Sequence, residues 1–263
     1  MNDYVEGDGC MQVYVSGIPV NYLDLGAGPE TAVILQGWGT NLSLYQALGE
    51  HLARHMRVLI PELPGFGETP EPPAPWDAAD YAAFTLELLR VLGVEKCHML
   101  GHSNGGRIIL CLSTSPHPGL ELGKLVFLDS AGIVPEKTAK QKRKQALFKA
   151  VRTLLKPFPK VLEAYRQSHG SADYRAASPL MRQTLVKLVN RDLRELMPLV
   201  REPSLLIWGT ADKDTPLWMG KIFAEKIPDA GLVEVPGAGH YAYLEQPGFV
   251  YRVLDAYFGK AAE

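Results

Sequence analysis

The sequence predicts an α/β fold: a mostly parallel, eight-stranded sheet flanked by helices and interrupted by one long helical insertion. Two observations carry this prediction. Short apolar runs alternate with segments of helical periodicity, a pattern typical of βαβ units. Loops rich in glycine and proline follow the apolar runs, and in a parallel sheet such loops meet at one edge, where ligands bind. The 263 residues are enough for one large domain.

The individual elements follow from local patterning. Residues 31–35 and 58–60 are continuous apolar runs, as expected for strands covered on both faces. Asp77 to Leu92 repeats its apolar residues at helical spacing. The remaining predicted elements are a hairpin over 11–15 and 20–25, a helix ending near 56, strands over 94–100, 125–129, 204–209 and 231–235, and helices after 216 and over 249–258.

The strand pattern stops between residues 131 and 200, where helical periodicity dominates. Ser178 and Pro179 are typical of an N-cap and the first position of a helix. We therefore predict a core domain formed by 1–131 and 201–263, with 132–200 inserted as an all-helical cap, or lid.

Composition excludes several classes. A net charge of -2 gives no overall attraction to nucleic acid or membranes, and no apolar run approaches the length of a membrane span. The acidic first eight residues predict no secretory signal, and three irregularly spaced cysteines suggest neither a disulfide framework nor a metal site. A segment at 26–28 lacks the third glycine of a nucleotide-binding loop. We expect a cytoplasmic protein without metal or cofactor.

One turn carries the clearest chemical signal. Ser103 follows a predicted strand and precedes a predicted helix, with Gly101 two residues before it and Gly105 two residues after. Glycines at this spacing permit a sharp turn that exposes the serine hydroxyl, the arrangement called a nucleophile elbow. The following helix N-terminus favours negative charge developing there.

A serine hydroxyl needs a base to become a nucleophile, and histidine supplies one near neutral pH. His240 lies in a glycine-flanked loop after the last predicted strand. A carboxylate must orient this histidine and stabilise its charged form. Three aspartates at strand ends are candidates: Asp212, which the spacing from the preceding strand favours, Asp214 and Asp129.

Taken together, these segments resemble the α/β-hydrolase family over residues 11–260. The matching segments are 101–106, 208–212 with Pro216, 239–240 with 245–247, and 64–67. The resemblance implies that Ser103 is the nucleophile, His240 the general base and acid, and Asp212 the orienting acid. It also implies an oxyanion hole made by the backbone amides of Trp38 and Asn104.

Two residues depart from the family's pattern. Gln36 stands where a histidine is usual before the glycine of the oxyanion loop, and we expect it to brace that loop by hydrogen bonds. Glu62 replaces an aspartate and is expected to be structural. Serine at position 103 excludes the epoxide hydrolases and haloalkane dehalogenases, whose elbow carries aspartate.

The substrate pocket is less defined by sequence. Candidate substrate-contacting residues are Gly37, His102, Leu147, Phe148 and Tyr241. For His102 packing is the alternative, and for Leu147 and Phe148 it is core burial. Ten lysines and arginines lie between 136 and 166. They form either a solvated helix face or a surface attracting an anionic substrate, an acidic carrier protein or a membrane.

The predicted activity is hydrolysis of carboxylic esters with small to medium acyl chains through an acyl-enzyme. Trp38 beside the oxyanion hole favours small or flat acyl groups. Cleavage of carbon–carbon bonds, lactones or amides uses the same triad and stays open, as does a catalytically silent binding protein on this fold. The expected partner is a small-molecule ester, and the chain is a monomer or a dimer.

Overall fold

The computed structural model describes residues 10–136, 139–154, 156–158, 160–161 and 171–259. Eight strands form one sheet in the order β1-β2-β4-β3-β5-β6-β7-β8. Their bounds are β1 Cys10–Val15, β2 Ile18–Leu25, β3 Thr31–Leu35, β4 Arg57–Pro61, β5 Lys96–His102, β6 Glu121–Leu128, β7 Ser204–Gly209 and β8 Ala230–Val235.

Helices connect and cover these strands. Their bounds are α1 Ser43–Leu52, α2 Ala78–Val91, α3 Asn104–Ser113, α4 Ala139–Leu154, α5 Ala172–Ala176, α6 Pro179–Asn190, α7 Leu217–Lys226, α8 Ala242–Glu245 and α9 Pro247–Phe258. In the described part of the chain no helix is both long and apolar enough to cross a membrane.

The sheet is mostly parallel. β1 pairs antiparallel with β2, and β2 antiparallel with β4. From β4 through β3 and β5 to β8, every neighbouring pair is parallel. The carboxyl ends of β3, β5, β6 and β7 therefore open on the same edge. The predicted α/β fold with an edge hairpin is confirmed.

Each face of the sheet supports its own hydrophobic core. Successive strand residues point to opposite faces, so Met99 of β5 joins one core and Leu100 the other. Helices α2, α3 and α7 cover the first face, and α1 and α9 cover the second. Burying one such side chain contributes about 1.5–3 kcal/mol. Continuous apolar strands are the sequence signature of this two-sided burial.

The segment between β6 and β7 contains α4, α5, α6 and a 3-10 turn over Met197–Leu199. The Ser178 hydroxyl accepts a hydrogen bond from Met181 N, and Pro179 begins α6, as the sequence predicted. Helix α6 packs on the core through Met181 and Leu188. By contrast, Leu147 of α4 is 66% exposed. The division of the chain into core and cap stays a prediction.

Candidate active site

Ser103 occupies a sharp turn between β5 and α3. Its backbone lies at φ 49 and ψ -108, a conformation that L-residues rarely adopt. Its N–H donates to Leu128 O at 3.0 Å, and its carbonyl accepts from Ala131 N at 2.9 Å. The turn is thus tied to the end of β6. Strain of this kind costs about 1–3 kcal/mol and persists where surrounding contacts enforce it.

The flanking glycines are required by close backbone approach. A Cβ at Gly101 would lie 2.6 Å from the carbonyl carbon of Gly105, and a Cβ at Gly105 would lie 2.2 Å from Leu35 O. Neither position has room for a side chain. The glycine spacing that singled out this turn in the sequence therefore has a direct steric cause.

His240 and Asp212 form a hydrogen-bonded pair. His240 Nδ1 lies 2.8 Å from Asp212 Oδ2, and the aspartate side chain is buried. The other carboxylate oxygen accepts from Asp214 N at 2.8 Å and from Thr215 N at 3.0 Å. Of the three candidate aspartates, Asp212 is the one brought to the histidine ring, while Asp214 is exposed.

Electrostatics favour a charged state of this pair. Burial alone would lower the pKa of His240, but the hydrogen bond and charge of Asp212 outweigh it and raise the pKa above its ordinary value. Burial alone would raise the pKa of Asp212, yet hydrogen bonds from His240 and Thr215 lower it. The ionised carboxylate thus stabilises an imidazolium, as a proton-accepting histidine needs.

Two backbone N–H groups near Ser103 are unpaired. Neither Trp38 N nor Asn104 N donates a hydrogen bond to any residue that the structure describes. Gly37 N, by contrast, donates to Tyr45 Oη at 2.7 Å. A Cβ on Gly37 would lie 3.3 Å from Ser103 Cβ, so this loop runs directly beside the serine.

The two residues that depart from the family's pattern both brace loops. Gln36 Nε2 donates to Thr40 O at 2.7 Å, and Gln36 Oε1 accepts from Leu63 N at 3.2 Å. Glu62 Oε2 accepts from Glu68 N at 2.7 Å. The amide of Gln36 therefore holds the loop after β3, the candidate oxyanion loop, to the loop after β4, as expected of it.

His102 is a buried bracing residue outside the described lining of the cavity, and its contact with substrate stays a prediction. The ring is buried, with Nε2 2.8 Å from His240 O and Nδ1 2.9 Å from Tyr45 Oη. Burial and the neighbouring His240 lower the pKa of His102 to about 3, so the ring is neutral. It donates from Nε2 and accepts at Nδ1, linking the loop of His240 to the helix behind the oxyanion loop.

Asp129 holds two neighbouring loops together. Its buried carboxylate accepts from Gly209 N at 2.7 Å and from Ala242 N at 3.3 Å. Burial raises the pKa of Asp129 to about 7 despite these hydrogen bonds. Its backbone has φ 41, and its carbonyl oxygen lies 2.9 Å from the Thr215 hydroxyl oxygen. Asp129 thus joins the loop after β7 to α8, which follows His240.

A cavity of about 600 Å³ opens above Ser103. Trp38, Ser103, Asn104, His240 and Tyr241 all line it. The other described lining residues are Arg107, Ala131, Ile133, Pro135, Ser171, Ala172, Asp173, Leu185, Leu188, Val189, Asp214, Thr215 and Met219. The nucleophile candidate and its base candidate therefore face one space, large enough for a small ester.

Two further predicted pocket residues, Gly37 and Leu147, are not part of the described lining of this cavity. Gly37 packs behind Ser103, where a Cβ would also lie 2.8 Å from His102 Nδ1. Leu147 points to solvent because α6, not α4, supplies the described apolar contacts with the core. The side chain of Phe148 lies outside the described residues, as do parts of the basic stretch. Tyr241 does line the cavity.

Sequence reasoning missed two residues. Thr215 lies beside Asp212, with its hydroxyl 2.7 Å from Asp212 Oδ2, and a threonine three residues after an aspartate is a weak signal. Arg107 is a buried cation in the cavity wall. In the sequence, the available indication of this role is that Arg107 is a single charged residue just after the serine turn, followed by the apolar run Ile108 to Leu110.

Asp212, Asp214 and His240 also bring ligand-type atoms within 4.8 Å of one another. A metal there would compete with the donors that already occupy Asp212. Both of its oxygens accept hydrogen bonds, from two N–H groups on one side and from Thr215 and His240 on the other. The arrangement is better suited to orienting a histidine, and the absence of a metal requirement stays a prediction.

Comparison with known proteins places this architecture in a family. Residues 32–253 match the alpha/beta hydrolase family. The chain is 28% identical, over 88% of its length and 94% of the relative's, to pimeloyl-[acyl-carrier protein] methyl ester esterase of Chromobacterium violaceum. It is 26% identical, over 92% of its length and 91% of the relative's, to 2-hydroxy-6-oxononadienedioate/2-hydroxy-6-oxononatrienedioate hydrolase of Paraburkholderia phymatum.

Solved structures agree on the fold. A hydrolase from Pseudomonas aeruginosa superposes with a TM-score of 0.75 at 24% identity, covering 97% of this chain and 100% of that one. The enol-lactonase from Burkholderia xenovorans gives a TM-score of 0.73 at 21% identity, covering 95% and 100%. With the matched family spanning most of the sheet and its loops, the chain belongs to the alpha/beta hydrolase family.

Proposed function

We propose that this chain is a serine hydrolase that cleaves carboxylic esters of small to medium acyl chains, with Ser103, His240 and Asp212 as its catalytic triad. One observation carries the proposal. His240 is held by Asp212 at 2.8 Å and faces the same cavity as Ser103. The strained turn of Ser103 lies beside two backbone N–H groups that donate to none of the described residues. Such an arrangement can supply a base, a nucleophile and an oxyanion hole together.

The reaction begins with proton transfer. His240 Nε2 takes the Ser103 hydroxyl proton as Oγ attacks the ester carbonyl carbon, and the carbonyl π electrons move to oxygen. The backbone N–H groups of Trp38 and Asn104 donate to this oxyanion. His240 then gives its proton to the departing alcohol oxygen as the carbon–oxygen bond breaks, which leaves an acyl group on Ser103.

A second cycle releases the acid. Water enters, His240 takes one of its protons, and the hydroxide adds to the acyl carbon. The oxyanion collapses, the bond to Ser103 Oγ breaks, and His240 returns the proton to the serine. Asp212 remains ionised throughout, because its lowered pKa keeps it the acceptor of the Nδ1–H bond.

The relative from Chromobacterium violaceum supports a methyl or other small alcohol as the leaving group, since that protein is named a methyl ester esterase. The partner we propose is accordingly a small-molecule ester. We also propose an intracellular location, since Cys10, Cys97 and Cys111 are all free thiols. The oligomeric state stays open between monomer and dimer.

The second candidate is hydrolysis of a carbon–carbon bond beside a ketone, with the same three residues. It is favoured by a relative named for 2-hydroxy-6-oxononadienedioate, a compound with an oxo group and two carboxylates and no ester. The ratio of kcat/KM for that compound and for p-nitrophenyl butyrate separates the two candidates. A higher value for the dioate would replace the esterase proposal.

The test is hydrolysis of p-nitrophenyl acetate, butyrate, octanoate and palmitate by wild type and by Ser103→Ala. We expect turnover that peaks at acetate or butyrate and falls by at least about 10⁴-fold in the variant. Ser115→Ala is the matched control, since Ser115 is exposed and outside the cavity lining. Turnover that survives in Ser103→Ala, or that is absent from wild type on every ester, would contradict the proposal.

A further inference from the structure

A polar patch lies in the wall of the cavity, on the first turn of α3. Asn104 and Arg107 are three residues apart, so they share one face of the helix. Both line the cavity with Ser103, and both are deeply buried, at 4% and 7% exposure. Helix α3 is otherwise apolar from Ile108 to Leu112, so these two polar groups stand out against their surroundings.

Arg107 carries a charge that no described residue pairs with in an ion pair. Of its five N–H groups, one donates to a described residue, from Nη1 to Arg191 O at 3.2 Å. No described carboxylate lies within ion-pair distance of it. Asp192, whose charge acts on Arg107, is already paired with Arg194 at 2.9 Å. Burial lowers the pKa of Arg107 to about 10, which still leaves it protonated at neutral pH.

Asn104 has an unused donor beside this charge. Its side-chain amide nitrogen is buried and has no hydrogen-bond partner among the described residues. Buried donors are almost always paired in folded proteins, so an orphan at a cavity wall points to an acceptor that arrives with a ligand. A cation without an ion pair and an amide without a hydrogen-bond partner among the described residues lie on one helix face, and together they form a ready site for an anion.

The charges around the cavity differ with depth. The described carboxylates of its lining, Asp173 and Asp214, are both exposed, whereas Arg107 is buried. Between them the wall is mostly apolar, with Ile133, Leu185 and Met219 among its residues. The cavity thus carries negative charge at its exposed rim and positive charge at its buried end. An elongated substrate with an apolar spacer and one negative end matches this distribution when the negative end lies next to Arg107.

We propose that Arg107 and the Asn104 side chain bind a carboxylate at the far end of the acyl group, so that the preferred substrates are half-esters of short dicarboxylic acids. This inference rests on the proposed esterase function. Arg107 lies one helical turn, about 6 Å along the axis, beyond Ser103. The planar guanidinium can donate two parallel hydrogen bonds to a carboxylate. An ester group accepts such a pair less well, and a methyl terminus accepts no hydrogen bond.

The experiment compares two esters of equal chain length by methanol release: monomethyl adipate, with a carboxylate end, and methyl hexanoate, with a methyl end. We expect wild type to prefer monomethyl adipate by at least about tenfold in kcat/KM, mostly through a lower KM. In Arg107→Gln this preference falls to about one, because kcat/KM for monomethyl adipate falls at least about tenfold more than kcat/KM for methyl hexanoate. Arg107→Lys retains part of the preference because it keeps the charge.

Arg252→Gln is the matched control, since Arg252 is exposed on α9, away from the cavity. Equal kcat/KM for the two esters in wild type, or a preference that survives in Arg107→Gln, overturns the inference. If Arg107→Gln does not fold, the inference is tested by comparing adipate and 1,6-hexanediol as inhibitors of p-nitrophenyl butyrate hydrolysis by wild type. Adipate must then inhibit at least about tenfold more tightly than 1,6-hexanediol. Absence of turnover on every neutral ester would instead contradict the esterase function itself.

Discussion

The loops at the carboxyl edge of the sheet and the segment between β6 and β7 are held in place by different means. Buried polar side chains cross-link this edge: Gln36 joins two loops, His102 joins the loop of His240 to α1, and Asp129 joins the end of β7 to α8. The described part of the segment between β6 and β7 packs on the core through apolar side chains of α6, while α4 leaves Leu147 exposed. Polar contacts add to this packing: Thr184 Oγ1 accepts from Trp76 N at 3.1 Å, and the more exposed Arg191 pairs with Asp77 at 3.2 Å. Directional bonds fix positions, whereas apolar contacts tolerate exchange.

In the proposed enzyme, the two regions therefore have different tasks. The reacting groups must be held closely, since a shift of about 1 Å can cost about 100-fold in rate. The wall contributed by α6 has only to exclude water and fit a substrate. We therefore expect substitutions at the loop edge to lower kcat, and substitutions on α6 to change KM and chain-length preference.

The largest effect is expected at the orienting carboxylate. Asp212→Asn removes the charge and offers His240 the wrong partner, so kcat/KM for p-nitrophenyl butyrate should fall about 10³–10⁴-fold. Asp214→Asn is the comparison, because Asp214 is exposed in the same loop and touches Asp212 only through its backbone. It should stay within about threefold of wild type. A larger loss in Asp214→Asn than in Asp212→Asn would reverse the assignment of the acid.

The pH profile tests the same pair through its electrostatics. The proposed base must be neutral, so kcat/KM falls on the acidic side as His240 takes up a proton. Asp212 raises the pKa of His240, and its removal should therefore move this acidic limb to lower pH in the residual activity of Asp212→Asn. If the acidic limb of the profile lies at the same pH in Asp212→Asn as in wild type, a group other than His240 controls it.

A smaller effect is expected at His102. His102→Phe keeps a ring of similar size but removes the bonds to His240 O and Tyr45 Oη. We expect kcat to fall about 10–100-fold with KM little changed, because the base and the oxyanion loop lose a common support. His102→Gln, which can donate and accept, should recover part of the loss. Equal losses in both variants would indicate that packing alone matters there.

On α6, the expected change is mainly in substrate choice. Leu185→Ala removes an apolar side chain that lines the cavity, and should reduce kcat/KM for the octanoate ester about 5–30-fold while acetate changes little. Leu147→Ala is the matched control, since its side chain is exposed and outside the described lining. If Leu147→Ala shifts the chain-length profile as much as Leu185→Ala, the substrate is also in contact with α4.

The smallest expected effect is on stability at Asp129. Burial raises its pKa from 3.8 to about 7, so the folded protein binds this proton more tightly than the unfolded chain. The resulting stabilisation is complete below the unfolded pKa and is lost as pH rises toward the folded pKa. The Tm of wild type relative to Asp129→Asn should thus fall as pH rises from about 4 to about 7. A constant difference over that range would contradict the raised pKa.

The sheet, its surface helices and the position of the serine turn could be predicted from sequence because local patterns determine them. Strands buried on both faces read as apolar runs, and the glycines at 101 and 105 report a steric demand that no other residue meets. Asp212 was favoured for a similar reason, since it stands at a fixed distance from the end of β7.

The missed features depend on which groups meet across the sheet. Nothing local in the sequence says that His102 bonds Tyr45 and His240, which are 57 and 138 residues away. The same holds for Arg107, whose role depends on distant residues: no carboxylate in the described part of the chain forms an ion pair with it. Leu147 was misplaced because an amphipathic pattern does not say which of several helices supplies the buried face.

The most direct test of the central claim is covalent labelling of the nucleophile. Treatment of the intact protein with diisopropyl fluorophosphate, followed by peptide mapping, should attach one phosphoryl group to Ser103 as p-nitrophenyl butyrate hydrolysis is lost. Labelling should vanish in Ser103→Ala and slow strongly in Asp212→Asn, while Ser115→Ala labels like wild type. Loss of activity with the label on another residue, or full hydrolysis with no label on Ser103, would contradict the account.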